Sequence, residues 1–159
     1  TKAGIHLLTY TSLPLESDLE ITGYPIVRLY VTSTDTDGAF YVYLEDIDED
    51  GNVAYVTEGQ LRAIHRKISD EKPPYEILVP YHTCKQADAM PLVPGEVAGL
   101  AFGLLPTSVL IRKGHRIRLG IAGHDEGTFA RIPEEGFPVI SMERNKLYPS
   151  HIELPVISR

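Results

Sequence analysis

Short runs in which every second residue is apolar are the feature that most limits what this sequence can fold into. The apolar positions of four such runs are Val27, Leu29 and Val31; Phe40, Val42 and Leu44; Ile117, Leu119 and Ile121; and Ile152, Leu154 and Val156. Successive side chains of a β-strand point to opposite faces, so each run predicts a strand with one buried face and one face nearer to water. The many Val, Ile, Tyr and Thr residues suit such strands.

Turn-forming residues separate these runs at short intervals. They stand at Asp37-Gly38, Asp50-Gly51-Asn52, Pro73-Pro74, Pro94-Gly95, Lys113-Gly114 and positions 133–136. The Asp50-Gly51 pair predicts a hairpin that joins residues 40–45 to residues 53–56. A sustained helical stripe is missing, although residues 83–90 have room for one or two helical turns. Many short strands between regular turns predict an all-β jelly-roll β-sandwich, with residues 1–159 forming one domain.

Composition argues against several kinds of partner. Fifteen basic and twenty-two acidic residues give a net charge of −7, which disfavours binding to nucleic acid or to an anionic membrane. No apolar run approaches the roughly 20 residues that cross a bilayer. The single cysteine, Cys84, excludes an internal disulfide and allows a reducing compartment, so we expect a cytoplasmic location. Thr1 stands where an initiating Met is missing, which predicts a domain cut from a longer chain.

No serine-hydrolase triad is predicted within this chain. An α/β-hydrolase carries its nucleophile on a sharp strand-to-helix elbow, usually Gly-x-Ser-x-Gly, and no serine lies between glycines in this way. Ser108 stands in a stretch typical of a loop that feeds a strand. The six histidines are scattered, at His6, His65, His82, His115, His124 and His151. We therefore predict no catalytic residues, and we interpret His115 as a structural partner in the turn at residues 113–116.

The acidic segment at residues 46–51 copies the opening of an EF-hand calcium loop. The bidentate Glu of such a loop belongs at its position 12, where this chain has Thr57, with Glu58 one place late. The flanking residues are predicted strands, whereas an EF-hand needs helices. A solvated hairpin turn is the favoured interpretation, and with one thiol and no His-Glu-x-x-His motif no metal site or cofactor is predicted.

A polar loop follows the third alternating run and opens with Gly-His-Asp-Glu-Gly at residues 123–127. A histidine beside two carboxylates can perform acid–base chemistry or bind a ligand, but a polar strand exit without chemistry is the favoured interpretation. Loops at strand ends also concentrate interface residues. The candidate interface residues of this loop are His124, Asp125, Phe129 and Arg131.

An independent module that binds carbohydrate or another polymer is the alternative function for a β-sandwich. Such modules stack sugars on exposed aromatic side chains, most often Trp and Tyr. This chain has no Trp, and its nine Tyr are spread along the sequence, several of them on predicted strands. The alternative therefore predicts an exposed Tyr pair beside a groove.

An ordered set of segments resembles the C-terminal domain of the cocaine esterase and X-prolyl dipeptidyl aminopeptidase family, the CocE/NonD hydrolases. The segments are residues 8–12 (LTYTS), 14–16 (PLE), 18–23 (DLEITG), 27–31 (VRLYV), 53–62, which is similar to V-T-E-G-x-L-R-A, 91–96 (PLVPGE), 112–119 (RKGHRIRL) and 149–157 (PSHIELPVI). One departure follows Leu119, where the family tends towards Ser-rich residues before an Asp. Of the stretch at residues 120–125, only Asp125 matches.

The resemblance implies a jelly-roll domain of the galactose-binding-like type, appended to an α/β-hydrolase domain of the same parent chain. Family members hydrolyse esters, amides or X-prolyl peptide bonds through a Ser–Asp–His triad that precedes the jelly roll. By resemblance, this chain is a non-catalytic accessory domain that packs on the hydrolase domain and can mediate homodimers. A docking face larger than the few hundred square ångströms usual for monomers is expected.

Overall fold

The computed structural model describes residues 7–125 and 127–157, and these residues form eleven β-strands. The strands are β1 (Leu8–Thr11), β2 (Leu19–Gly23), β3 (Ile26–Ser33), β4 (Ala39–Ile47), β5 (Val53–Arg62), β6 (Ala98–Gly103), β7 (Thr107–Ile111), β8 (Arg116–Ala122), β9 (Ile140–Met142), β10 (His151–Glu153) and β11 (Val156–Ile157). Short 3-10 turns lie at Ala63–His65 and Gln86–Asp88, the second within the stretch where the sequence allowed a helical turn. Within the described ranges, no helix is long and apolar enough to cross a membrane.

The strands pair antiparallel in three sheets. The first sheet has the order β1-β8-β4-β5, and the second has the order β10-β3-β6 with β9 also paired to β3. A small third sheet has the order β11-β2-β7. The all-β sandwich that the alternating runs predict is thereby confirmed.

The main core lies between the first and second sheets. Alternate side chains of β4, namely Phe40, Val42 and Leu44, face it from the first sheet. Val27, Leu29 and Val31 of β3 face it from the second sheet, together with Leu100 and Phe102 of β6. Burial of these aliphatic and aromatic groups drives the two sheets together, because it removes their apolar surface from water.

The first and second sheets are in close backbone contact where β5 meets β6. A Cβ atom added to Gly59 of β5 would lie 2.6 Å from the carbonyl oxygen of Gly103 and 2.9 Å from Cα of Leu104. Only a residue without a side chain fits there, because the atoms opposite are backbone and cannot rotate away. The sandwich is therefore closed tightly along this edge.

The predicted hairpin between β4 and β5 is confirmed. Asp48 organises its turn, because its carboxylate accepts hydrogen bonds of 2.8 Å from both the backbone and the side-chain nitrogen of Asn52. Gly51 has φ +85°, a left-handed conformation that glycine adopts without strain. These bonds lower the pKa of Asp48, the side-chain bond from Asn52 contributing most.

Two expectations from alternation differ from the structure. The run Ile152, Leu154 and Val156 is divided between β10 and β11, which belong to different sheets, with Pro155 at the break. Proline has no N–H for a sheet ladder, so the strand cannot continue through it. On β4, residues 39–45 are buried on both faces rather than on one.

Candidate functional site

The outer face of β4, which points away from the main core, carries a second cluster of buried side chains. Tyr41 and Tyr43 form its centre, with Ala39 and with Ala122 of β8 beside them. Opposite Tyr43, β8 has Gly120, and this small residue leaves room above the sheet for other parts of the chain. Leu7, just before β1, occupies this space, because a Cβ atom added to Gly120 would lie 3.1 Å from its Cδ1 atom. Ile132, in the loop after β8, packs against the same cluster.

Asp125 anchors this loop to β4. The Tyr43 hydroxyl donates a hydrogen bond of 2.8 Å to Oδ2 of Asp125. Both side chains are buried, Tyr43 at 7% exposure and Asp125 at 2%. Burial raises the pKa of the Tyr43 hydroxyl above its ordinary value, and the hydrogen bond to the Asp125 carboxylate raises it further. Burial also raises the pKa of the Tyr41 hydroxyl, and the negative charge of Asp125 raises it further.

The backbone of Asp125 starts a turn that brings the next part of the loop over the sheet. Its carbonyl oxygen accepts hydrogen bonds from the N–H groups of Thr128 at 3.1 Å and Phe129 at 3.0 Å. The Phe129 ring then packs on Tyr41, with 5.0 Å between ring centroids. Ile132 packs against the same cluster. The loop is therefore fixed from below by one buried polar contact and one aromatic contact.

Two apolar side chains of the loop are largely exposed to water. Phe137 is 89% exposed and Val139 is 64% exposed. The guanidinium of Arg131 lies 4.8 Å from the centre of the Phe137 ring and also donates a hydrogen bond to the Gly136 carbonyl. These two contacts hold the Phe137 ring in place although water surrounds most of it.

The structure thus places the four sequence-predicted interface residues within one loop but in different positions. Asp125 is buried and acts as the anchor, whereas Phe129 covers Tyr41 and keeps 37% of its surface exposed. Arg131 supports the Phe137 ring. His124 is half-buried, and among the described residues no hydrogen bond to its ring is found. Glu126, the second carboxylate of the predicted cluster, lies outside the described residues.

Other residues singled out from the sequence lie elsewhere. Ser108 is on β7, in a strand rather than the expected loop, and its hydroxyl lies 2.9 Å from that of Thr22 on β2. His115 bonds through Nδ1 to Asp46 at 2.9 Å, so it joins the turn before β8 to the end of β4. Within the described ranges, no group of three or more His, Cys, Asp or Glu side chains is arranged to hold a metal ion. His6 lies outside the described residues.

Sequence reasoning missed Tyr41, Tyr43 and the exposed pair Phe137 and Val139. A signal for the first two was present, because residues 39–44 form a continuous apolar and aromatic run. Such a run is typical of a strand covered on both faces. No equivalent signal existed for Phe137, since its exposure depends on how the loop folds back over β4.

One family model matches most of the chain. Residues 2–145 match the X-Pro dipeptidyl-peptidase C-terminal non-catalytic domain. This agrees with the resemblance seen in the ordered segments of the sequence.

Relatives and solved structures point in the same direction. A Mycobacterium bovis protein, provisionally named a serine esterase, is 57% identical to this chain over 151 residues. The match covers 95% of this chain and 24% of the relative. The cocaine esterase of a Rhodococcus species is 28% identical over 96% of this chain and 26% of its own length. The chain therefore spans about a quarter of the curated relatives it matches.

The fold has a counterpart in a solved structure. A CocE/NonD family hydrolase from Staphylococcus aureus superposes with a TM-score of 0.77 at 18% identity, over 96% of this chain and 30% of that one. At this identity the likeness concerns the fold alone. All three proteins are named as esterases or hydrolases, and the comparisons do not favour the carbohydrate-binding alternative.

Proposed function

The chain belongs to the family of X-Pro dipeptidyl-peptidase C-terminal non-catalytic domains, and we propose that residues 1–159 form one accessory domain of a longer serine hydrolase. In this proposal the hydrolase part precedes β1 and cleaves an ester, amide or X-prolyl peptide bond. The sandwich itself packs against that part and stabilises it. Support comes from the provisional serine esterase, of which this chain covers only 24% at 57% identity.

The observation that carries the proposal is the anchored loop on β4. We define its loop surface as His124, Phe129, Arg131, Phe137 and Val139. Aromatic residues and Arg are enriched at the centres of protein interfaces, because they bury a large area with few flexible bonds. An exposed Phe held in place by Arg131 has lost part of its freedom before any partner arrives, which reduces the entropic cost of docking.

The exposed acidic pair Glu134 and Glu135 lies on the same loop, three and two residues before Phe137 in the sequence. An apolar centre with a charged border is the usual arrangement of a docking surface between domains. We therefore propose that Phe137 and Val139 enter an apolar depression on the hydrolase part. Without a hydrolase part, the same surface is expected to pair two copies of the chain, and sedimentation at rising concentration measures this.

The test is a chimera in which this chain replaces the matching region of the Mycobacterium bovis relative. We expect a folded chimera that hydrolyses a simple aryl ester, and a 159-residue chain that does not. Phe137→Ala and Arg131→Ala should each lower, by several degrees, the temperature at which the chimera loses half of its esterase activity. Leu78→Ala is the matched control, because Leu78 is 77% exposed but lies on the connection between β5 and β6.

Two results would contradict the proposal. One is ester hydrolysis by the 159-residue chain that disappears in Ser108→Ala or His124→Ala. The other is a chimera whose hydrolase and sandwich parts melt independently, with Phe137→Ala behaving like Leu78→Ala.

A further inference from the structure

The edge of the sandwich opposite the tight contact at Gly59 is open. There a cleft of about 390 Å³ separates the first and second sheets. Its apolar walls are Tyr10, Val42, Leu119 and Ile121 from the first sheet and Val27, Leu29, Met142 and Ile152 from the second. A smaller cavity of about 190 Å³ adjoins it through the shared residues Ile121 and Met142, and Leu8 lines its entrance.

These walls are the side chains of the main core itself. Protein interiors are packed as densely as organic crystals. The side chains that line an apolar gap of this size therefore lack many of the van der Waals contacts that core residues usually make. Leu8 is 48% exposed although its side chain points to the same side of the sheet as the core. Among the residues that the structure describes, the open edge therefore has the character of a core that lacks one covering element.

Strand β1 forms one border of the cleft and is also the end strand of its sheet. In its register Leu8 pairs with Ile121, Tyr10 with Leu119, and the next pair, Ser12 with Ile117, is joined by a hydrogen bond of 2.9 Å. Hydrogen-bonded pairs alternate along an antiparallel ladder. The N–H and C=O groups of Thr9 and Thr11 consequently point away from β8, towards the outside of the sheet.

Arg144 places a positive charge at the mouth of the cleft. The guanidinium of Arg144 lies 5.2 Å from the centre of the Tyr10 ring and so reaches across from the β9 side to the β1 side. An occupant with apolar side chains and an acidic group at its border complements both the walls and this charge.

We propose that the open edge, formed by β1 and the cleft beside it, is covered by the hydrolase part of the parent chain. An extended segment of that part pairs with Thr9 and Thr11, its apolar side chains enter the cleft, and a carboxylate meets Arg144. The inference rests on the proposed function. In a family of C-terminal domains the hydrolase part precedes β1 in the sequence, so β1 is the strand of the sandwich nearest to it along the chain.

The open edge is continuous with the loop surface. Leu7 lies just before β1 and packs on the cluster around Tyr41 and Tyr43, under the loop. Leu8, the next residue, lines the smaller cavity on the other side of the sheet. A partner that wraps around β1 would thus contact the loop surface on one side and the cleft on the other.

The test compares hydrogen exchange in the 159-residue chain and in the chimera. We expect the amides of Thr9 and Thr11 to exchange at least roughly tenfold more slowly in the chimera, because they gain hydrogen-bond partners there. Leu8→Asp and Arg144→Glu should remove the slow exchange of these two amides. They should also lower the temperature at which the chimera loses half of its esterase activity. Leu13→Asp is the control, since Leu13 is 82% exposed and lies just beyond β1.

The outcomes separate this inference from the proposed function. If Phe137→Ala destabilises the chimera but Thr9 and Thr11 exchange as fast as in the 159-residue chain, the open edge is not the docking site and the accessory role survives. The same conclusion follows if Leu8→Asp behaves like Leu13→Asp. If neither surface responds, both proposals are wrong.

Discussion

The hydroxyl of Tyr43 and the carboxylate of Asp125, 82 residues apart in the sequence, meet in a buried hydrogen bond of 2.8 Å. This contact joins the centre of the first sheet to the loop that carries Phe129 and Phe137. Together with the Phe129 ring on Tyr41, this buried polar pair fixes the position of the loop that carries the proposed docking surface. Buried polar groups of this kind are costly when their partner is removed, which makes the contact open to a direct test.

Tyr43→Phe should lower the free energy of unfolding by about 2 kcal/mol, because it leaves the buried Asp125 carboxylate without this donor. Urea unfolding of the 159-residue chain measures the change. The substitution should also make the loop after β8 more sensitive to limited proteolysis. Tyr75→Phe serves as the control, since Tyr75 is 60% exposed. Equal stability of the two variants would show that the Tyr43 hydroxyl does not hold the loop.

Tyr41 and Tyr43 should remain protonated in the folded protein at a pH where they ionise in the unfolded chain. The pKa of each is raised in the folded state above the ordinary value of 10.0. A raised folded pKa means that the stabilisation is fully present below pH 10 and is lost as the pH rises beyond it, because only the unfolded chain then releases these protons.

The ultraviolet absorbance of phenolate, followed during an alkaline titration, measures this effect. Two of the nine tyrosines, Tyr41 and Tyr43, should titrate only together with unfolding, at a pH above the ordinary pKa of a tyrosine hydroxyl. Tyr43→Phe should remove one of the two late groups. A titration in which all nine ionise together before the protein unfolds would contradict the burial of this pair.

Gly59→Ala should destabilise the sandwich more than an ordinary strand substitution. The added Cβ would lie 2.6 Å from the Gly103 carbonyl oxygen, and relieving that contact forces the sheets apart at a cost of about 1–3 kcal/mol or more. Gly99→Ala on β6 is the matched control, because its Cβ would meet the nearest atom, on the Tyr30 ring, at an ordinary 3.6 Å. Thermal unfolding of both variants is the measurement, and a smaller loss for Gly59→Ala than for Gly99→Ala would refute the tight contact.

Alternation was sufficient to predict the central strands. Val27, Leu29 and Val31 are buried on β3, and the turn at Gly51 joins β4 to β5 as its sequence indicates. The alternation of apolar and polar residues along a strand involves only residues close in the sequence, so a short segment is enough to predict the strand. The division of the last run into β10 and β11 was harder to foresee, because Ile152 and Val156 follow the same alternation but pair with β3 and β2 in different sheets.

The candidate site was predicted in part. Asp125, Phe129 and Arg131 were identified as a polar strand exit with a possible interface role, and the structure gives Asp125 and Phe129 contacts on β4. Their partners Tyr43 and Tyr41 were expected on the wetter face. The loop that covers this face of β4 is distant in the sequence. Alternation within one strand carries no information about such a long-range tertiary contact.

The tight approach of Gly59 to Gly103 also determines how the sandwich can move. Because the sheets are in close backbone contact at this position, we expect a change in their separation to be a rotation about the β5–β6 edge. The amplitude of such breathing grows with distance from the axis and is greatest at β1, beside the open cleft. A partner bound at β1 therefore acts with the longest lever arm and restrains the whole sandwich through few contacts.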